Sequence, residues 1–310
     1  MVKHTSSANG EMVLIDRIRR RAALPKGSQV VLGIGDDCAI FRPRGSREDL
    51  LFTTDLLVED VHFRRSDHRP EDIGWKALAR GLSDIAAMGG EPRFCLLSLA
   101  IPAGVDTRWI DRFYTGLLRL AEREMTPLAG GDVGRAAQFT CDIVVCGAVP
   151  NNCALRRDGA RERDAIYVSG ILGGSALGLA TRSGKAWRCH LRPEPRLALG
   201  RFLRSRIHAT AAMDLSDGLS LDLRRLALAS GLAAEIETPP VFRGATVEQA
   251  LHGGEDYELL FTVPARTRVP SDFEGLPLTR IGTMRKGRAG DVVWNGAALP
   301  PLGYDHLRQS

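Results

Sequence analysis

Acidic residues gather at six places along this chain, each at or near the end of an apolar run or a helical pattern, and the six are spread over both halves. They are Asp36 and Asp37 in Gly33-Ile34-Gly35-Asp36-Asp37, Asp55 after Thr53-Thr54, Asp84, Asp132 after Gly130-Gly131, Asp214 and Asp217 around Leu215-Ser216, and Glu255, Asp256 and Glu258 after Gly253-Gly254. Any one of them could be a solvated turn whose side chains bond nearby amides. Six such clusters in one chain point instead to element ends that converge on a cleft. Two carboxylates about 4 Å apart repel by about 4 kcal/mol at an effective dielectric near 20, so convergence demands cations or raised pKa values. Divalent metal is the simpler answer. Mg²⁺ is usually held by a few carboxylates together with substrate phosphates, so the pattern points to phosphoryl transfer.

The spacing predicts a mixed α/β or α+β chain. Short apolar runs at 30–32, 50–53, 94–101, 139–149, 165–168, 234–236, 257–263 and 278–283 read as strands, several closed by Pro or Gly. Apolar residues at three- and four-residue spacing predict helices over 72–88, 107–124, 193–206 and 216–230, and a short amphipathic one over 12–21. The polar, Arg-rich stretch 151–163 separates two halves. The expected organisation is a loose N-terminus over 1–10, a first domain over 11–150 and a second over 151–310.

Bulk properties exclude several classes. The net charge of +5 comes from 42 basic residues that are dispersed, with no run interleaved with aromatics, so nucleic acid is not an expected partner. No stretch approaches 18 uninterrupted apolar residues and the first ten lack a signal-peptide core, so a cytoplasmic protein that neither spans nor binds membrane is expected. Six scattered cysteines without a CxxC pair indicate neither zinc nor a disulfide framework. No Walker loop and no protein-kinase catalytic loop occurs, and the glycines over 170–178 read as a tight turn before a closely packed helix.

Individual residues allow two readings. Aspartate is a poor interior helix residue, so Asp84 is either a site residue or an exposed partner of Arg80 one turn earlier. Ser216 is well placed as a helix N-cap, although capping requires neither Asp214 nor Asp217.

Taken together, GIGDDCA at 33–39, TTDLLVEDVHF at 53–63, LSDIAAMGGEP at 82–92, GGD at 130–132, MDLSDGLSLDL at 213–223, GGEDYELLFTVP at 253–264 and the closing GYDH at 303–306 resemble the thiamine-monophosphate kinase family. The resemblance runs from residue 11 to about 305, in order and spacing. It implies the two-domain aminoimidazole ribonucleotide synthetase-like fold, with ATP in the cleft between domains and the N-terminal sheets of two subunits pairing in a homodimer. The implied activity is phosphorylation of thiamine monophosphate to thiamine diphosphate by direct in-line transfer from ATP, with several Mg²⁺ ions.

The resemblance also implies roles. Asp37, Thr53, Thr54, Asp55, Asp84, Asp132, Asp214 and Asp217 match the family's magnesium ligands, with Asp55 and Asp84 tied most directly to turnover. Tyr114, Gly131, Asp132, Arg157 and Ser216 match its nucleotide contacts, and His62, Glu255 and Tyr304 match positions that hold thiamine monophosphate. Two departures stand out: Val133-Gly134 where relatives carry threonines, and Ala160-Arg161-Glu162-Arg163-Asp164 in place of a Lys-Pro-Gly-Asp turn. The competing readings are another synthetase of the same superfamily acting on a ribonucleotide, and a catalytically silent nucleotide-binding regulator.

Overall fold

The computed structural model describes residues 10–22 and 24–307, so the expectation of a loose segment at 1–10 lies, Gly10 apart, outside the described residues. After α1 (Glu11–Arg21) come β1 (Val30–Leu32), β2 (Ala39–Phe41), β3 (Glu48–Val58), α2 (Pro70–Ala87), β4 (Glu91–Ile101), α3 (Thr107–Arg123), β5 (Leu128–Arg135) and β6 (Thr140–Pro150). These strands form one six-stranded sheet in the order β1-β2-β3-β6-β4-β5. Neighbours are antiparallel except β4 and β5, which run parallel and are joined by α3. A parallel pair needs such a crossover.

The second sheet is built from β7 (Ala165–Ser169), β8 (Ala211–Asp214), β9 (Ala233–Ile236), β10 (Leu259–Val263), β11 (Asp272–Phe273), β12 (Leu276–Arg285), β13 (Val292–Trp294) and β14 (Ala297–Ala298). Its order is β14-β13-β9-β12-β7-β10-β8, with β11 on β12. Its helices are α4 (Gly174–Thr181), α5 (Gly184–Leu191), α6 (Leu197–Phe202), which runs on into a π-helical turn at Leu203–Ile207, α7 (Leu219–Ala229) and α8 (Val247–His252).

Helix α2 joins the two sheets. Its Leu82 and Ile85, both fully buried, share one core with Val145 of β6 and with Leu203 and Phe261 of the second half. Close approach on both sides depends on glycine. A Cβ at Gly116 of α3 would stand 1.8 Å from the Glu71 carbonyl oxygen of α2, and one at Gly200 of α6 would stand 2.0 Å from that of Ala86. Wedged in this way, α2 holds its polar residues at a fixed place between the halves.

Several expectations are corrected. The strand expected over 50–53 runs from Glu48 to Val58, because its full length pairs with β6, so Thr53, Thr54 and Asp55 lie within it and do not form a closing turn. Gly130, Gly131 and Asp132 likewise sit inside β5, paired with Leu96, Leu97 and Ser98. The helix expected over 216–230 begins at Leu219 with Gly218 as its N-cap, so Ser216 is no cap. The Asp222 side chain instead accepts from the Asp217 and Gly218 backbone N–H groups. The helix expected over 193–206 starts only at Leu197.

Candidate active site

A cavity of about 760 Å³ opens between the two sheets. Its acidic floor comes from elements that the chain separates widely. Asp37 follows β1 in a turn that Gly35 enters at φ 134°, Asp84 sits on the last turn of α2, and Asp214 ends β8. Their carboxylate oxygens lie within 4.8 Å of one another. Thr53 Oγ1 donates to Asp84 Oδ2 at 2.5 Å and Ser83 Oγ donates to Asp214 Oδ2 at 2.6 Å.

Three arginines balance part of this charge. Arg80 reaches Asp55 at 2.5 Å, Arg157 contacts Asp37, and Arg225 contacts Asp217 while lying 2.9 Å from Asp222. Arg80 thus pairs across to β3, and the alternative of a helical pair with Asp84 falls away. Among the described residues neither Asp84 nor Asp214 has an arginine in ion-pair contact, although Arg157 acts on Asp214 from further off. Burial, and for Asp84 the neighbouring Asp214 and Asp37 charges, pushes the Asp84 carboxyl well above the carboxylate range. Asp214 is raised by burial and by Asp37. Burial and Asp37 push Asp36 up to about 7.

This arrangement fits a divalent cation. The donors are all hard oxygens, carboxylates flanked by a threonine hydroxyl, and Asp84 and Asp214 are destabilised as anions by burial and by neighbouring carboxylates. A cation between them would offset the carboxylate repulsion and favour the charged forms that burial disfavours.

The other end of the cavity is different in kind. His62 accepts from the Val58 N–H through Nδ1 at 3.0 Å, and its ring lies 5.2 Å from that of His306. Burial and Arg80 push the His62 pKa down to about 3, so the ring is neutral near pH 7. Tyr304 donates its backbone N–H to the Asp217 carbonyl, which ties the C-terminal segment to the site. Glu255 lies 2.8 Å from the buried Lys76 Nζ.

Of the residues singled out in the sequence, Asp37, Thr53, Thr54, Asp55, His62, Asp84, Arg157, Asp214, Ser216, Asp217, Glu255 and Tyr304 line this one cavity. Tyr114, Gly131 and Asp132 do not. Tyr114 packs edge-on against Phe113 on α3, and Gly131 and Asp132 are exposed on β5 at the edge of the sheet. Sequence reasoning missed Lys76, Ser83, His190 and Arg225. Lys76 carried a signal, a lone cation in the apolar run Ile73-Gly74-Trp75-Lys76-Ala77-Leu78, whereas the others gave none.

The two halves match the AIR synthase related protein N-terminal domain over residues 35–149 and the AIR synthase related protein C-terminal domain over 162–295. Fold and site therefore define a two-domain protein of the AIR synthase-like class. Within that class the similarity narrows. A thiamine-monophosphate kinase of Salmonella typhimurium is 37% identical over 97% of this chain and 99% of its own length. A solved structure of AaThiL complexed with AMPPCP and TMP superposes with a TM-score of 0.84 at 34% identity, covering 96% of this chain and 97% of the other. The thiamine-monophosphate kinase of Stenotrophomonas maltophilia gives 0.76 at 38% identity, covering 92% and 96%. The chain belongs to the thiamine-monophosphate kinase family, a family of kinases, as the sequence motifs implied. Among the described residues no helix is long and apolar enough to cross a membrane.

Proposed function

We propose that this protein transfers the γ-phosphoryl group of ATP to the phosphate of thiamine monophosphate. A terminal oxygen of the monophosphate attacks the γ-phosphorus in line, a new P–O–P bond forms, the β–γ bond breaks, and thiamine diphosphate and ADP leave. The observation that carries the reading is the convergence of Asp37, Asp84 and Asp214 in a cavity that also presents His62, Glu255 and Tyr304. An anionic phosphate needs no strong general base, and none is assigned.

The chain's own residues have three tasks. Asp37, Asp84 and Asp214, with Thr53, would hold a first Mg²⁺; Thr54, Asp55 and Asp217, and Asp132 from outside the cavity, would contribute to further sites. Bound there, Mg²⁺ would offset the repulsion between two phosphate groups and stabilise charge in the transition state. Arg157 and Ser216 receive the nucleotide. Tyr114, Gly131 and Asp132 retain a nucleotide role if the nucleotide extends past the cavity along β5. His62, Glu255 and Tyr304 hold the organic part of the acceptor.

The exposed strand β5 has no strand on its outer side among the described residues, which leaves an edge that can template another chain, and this supports a homodimer formed through the first sheet. We place the domain division after residue 150, and the ATP-consuming reaction in the cytoplasm.

The test is ADP release with thiamine monophosphate, with a ribonucleotide acceptor, and with no acceptor. Release dependent on thiamine monophosphate supports the reading. Release with the ribonucleotide favours a superfamily synthetase, and release without acceptor favours a nucleotide-binding regulator. Inversion at a chiral γ-phosphorus distinguishes direct transfer from a phosphoenzyme.

A further inference from the structure

Lys76 is one of the most completely buried large side chains among the described residues, 1% exposed and flanked along α2 by the buried Ile73, Trp75, Ala77 and Leu78. A buried ammonium is costly without a partner. Its partner is Glu255 Oε1 at 2.8 Å, contributed by the other half of the chain. The second oxygen, Oε2, is 3.3 Å from His190 Nδ1, and that nitrogen is 3.0 Å from Ser175 Oγ. Trp187 stacks on the His190 ring at 5.1 Å, and His68 packs edge-on against both. The carboxylate is thus gripped at both oxygens by groups that cannot move freely.

The backbone is constrained as well. Glu255 has φ 65° and Tyr257 has φ 51°, left-handed conformations that non-glycine residues adopt at a cost of order 1–3 kcal/mol. The Glu255 N–H is anchored to the Ser216 carbonyl at 2.7 Å. Burial would raise the Glu255 carboxyl, but Lys76, His190 and Arg80, with Lys76 foremost, together outweigh it and hold the pKa down to about 2. His190, lowered to about 3 by burial and by Lys76, is neutral near pH 7, so the grip is one ion pair and one neutral contact.

What this grip presents to the cavity is a fixed acceptor. Each carboxylate oxygen has a second lone pair, and the Glu255 side chain is 23% exposed. The cavity that Glu255 lines also has apolar residues in its wall, among them Ala176, Leu179 and Leu302. A planar heteroaromatic ring bearing an N–H donor suits such a wall, and the acceptor assigned above carries an amino group on its pyrimidine.

We propose that Lys76, supported by His190, is a positioning residue that aims Glu255 at the amino group of the acceptor's aminopyrimidine, and that this contact selects amino- over oxopyrimidine acceptors. The inference rests on thiamine monophosphate being the acceptor. An oxo group in place of the amino group would set an oxygen against the carboxylate, and sites built to hydrogen-bond one group discriminate strongly against its absence.

The experiment compares steady-state phosphorylation of thiamine monophosphate and oxythiamine monophosphate by the wild type, Lys76→Met, Lys76→Arg and the double variant Lys76→Met/Glu255→Gln. The wild type should prefer the amino compound by about a hundredfold or more in kcat/KM. Lys76→Met should raise KM for thiamine monophosphate about tenfold or more, leave KM for ATP within about twofold, and erode the preference. Lys76→Arg should retain the preference. The double variant removes both buried charges and covers the case in which Lys76→Met does not fold; it too should lose the preference. The inference is overturned by a wild type that ignores the pyrimidine substituent, by preference and KM unchanged in both Met variants, or by a fall in kcat that is equal for both acceptors. A folded wild type that phosphorylates neither compound overturns the functional reading itself.

Discussion

Ser83 Oγ donates a 2.6 Å hydrogen bond to Asp214 Oδ2, and both side chains are buried. Ser83 stands on α2 of the first half and Asp214 ends β8 of the second, so one bond orients an acidic ligand and spans the two halves.

Replacing Ser83 by Ala leaves Asp214 Oδ2 without its donor in the metal-free protein. The expected cost is about 1–3 kcal/mol of stability. Because the hydroxyl lowers the Asp214 pKa, its loss also strengthens proton competition at the site. Mg²⁺ binding should weaken by about tenfold or more, as calorimetric titration would show. Unchanged affinity and an unchanged melting temperature would contradict this role.

Asp55 and Asp84 should respond differently to the same substitution. Asp84 is crowded by Asp214, Asp37 and Asp55 and has no arginine partner among the described residues, so Asp84→Asn should stabilise the metal-free protein by about 1–3 kcal/mol. Asp55 is itself raised by burial, yet Arg80 beside it cannot lose its charge. Asp55→Asn therefore leaves a buried guanidinium without its anion and should cost about 1–3 kcal/mol. Both variants should lose at least about a hundredfold in turnover. Chemical denaturation in chelator checks the opposite signs of the stability effects; equal signs would show that Arg80 is not what separates the two sites.

Metal binding should release protons. Asp84 and Asp214 hold protons above the ordinary carboxylate range, so a cation that binds there competes with protons and its affinity should rise with pH. Linkage gives the matching stability sign. The folded metal-free form binds more protons at these two groups than the unfolded chain does once pH exceeds about 4, so their contribution to stability falls as pH rises. His62 and His190, lowered from 6.5 to about 3, act in the opposite direction between those values. The difference in melting temperature between Mg²⁺ and chelator cancels the histidine contribution and should widen from pH 5 to pH 7. Calorimetry in buffers of different ionisation enthalpy measures the protons directly, and zero release would contradict the assignment.

The packing of α2 against α3 supplies a test of the scaffold alone. Gly116→Ala would place a methyl group 1.8 Å from the Glu71 carbonyl oxygen, a backbone atom that cannot step aside without moving α2. Overpacking of this kind costs about 3 kcal/mol or more. The measurement is the urea midpoint, and a loss under about 1 kcal/mol would mean that the helices separate easily.

The acidic floor was legible because Asp37, Asp84 and Asp214 lie at or close to element ends, where a turn or a last helical turn delivers a side chain to one edge. Periodicity likewise revealed α2 and α3, whose apolar residues share the core in which the two helices pack on one another. It failed where long-range pairing decides the outcome. β6 extends β3 well past residue 53, and Asp222 takes the amides that Ser216 seemed positioned to cap. The counter-ions were hidden for the same reason. Arg80 finds Asp55 across 25 residues and Lys76 finds Glu255 across most of the chain, distances over which local spacing carries no information.

Phosphorus NMR of the purified protein with Mg²⁺, ATP and thiamine monophosphate tests the central claim most directly. The account expects the monophosphate resonance to fade while the paired resonances of thiamine diphosphate grow, one for each ADP formed, and expects chelator to stop both changes. Folded protein that binds Mg²⁺ and ATP yet yields no thiamine diphosphate would contradict it.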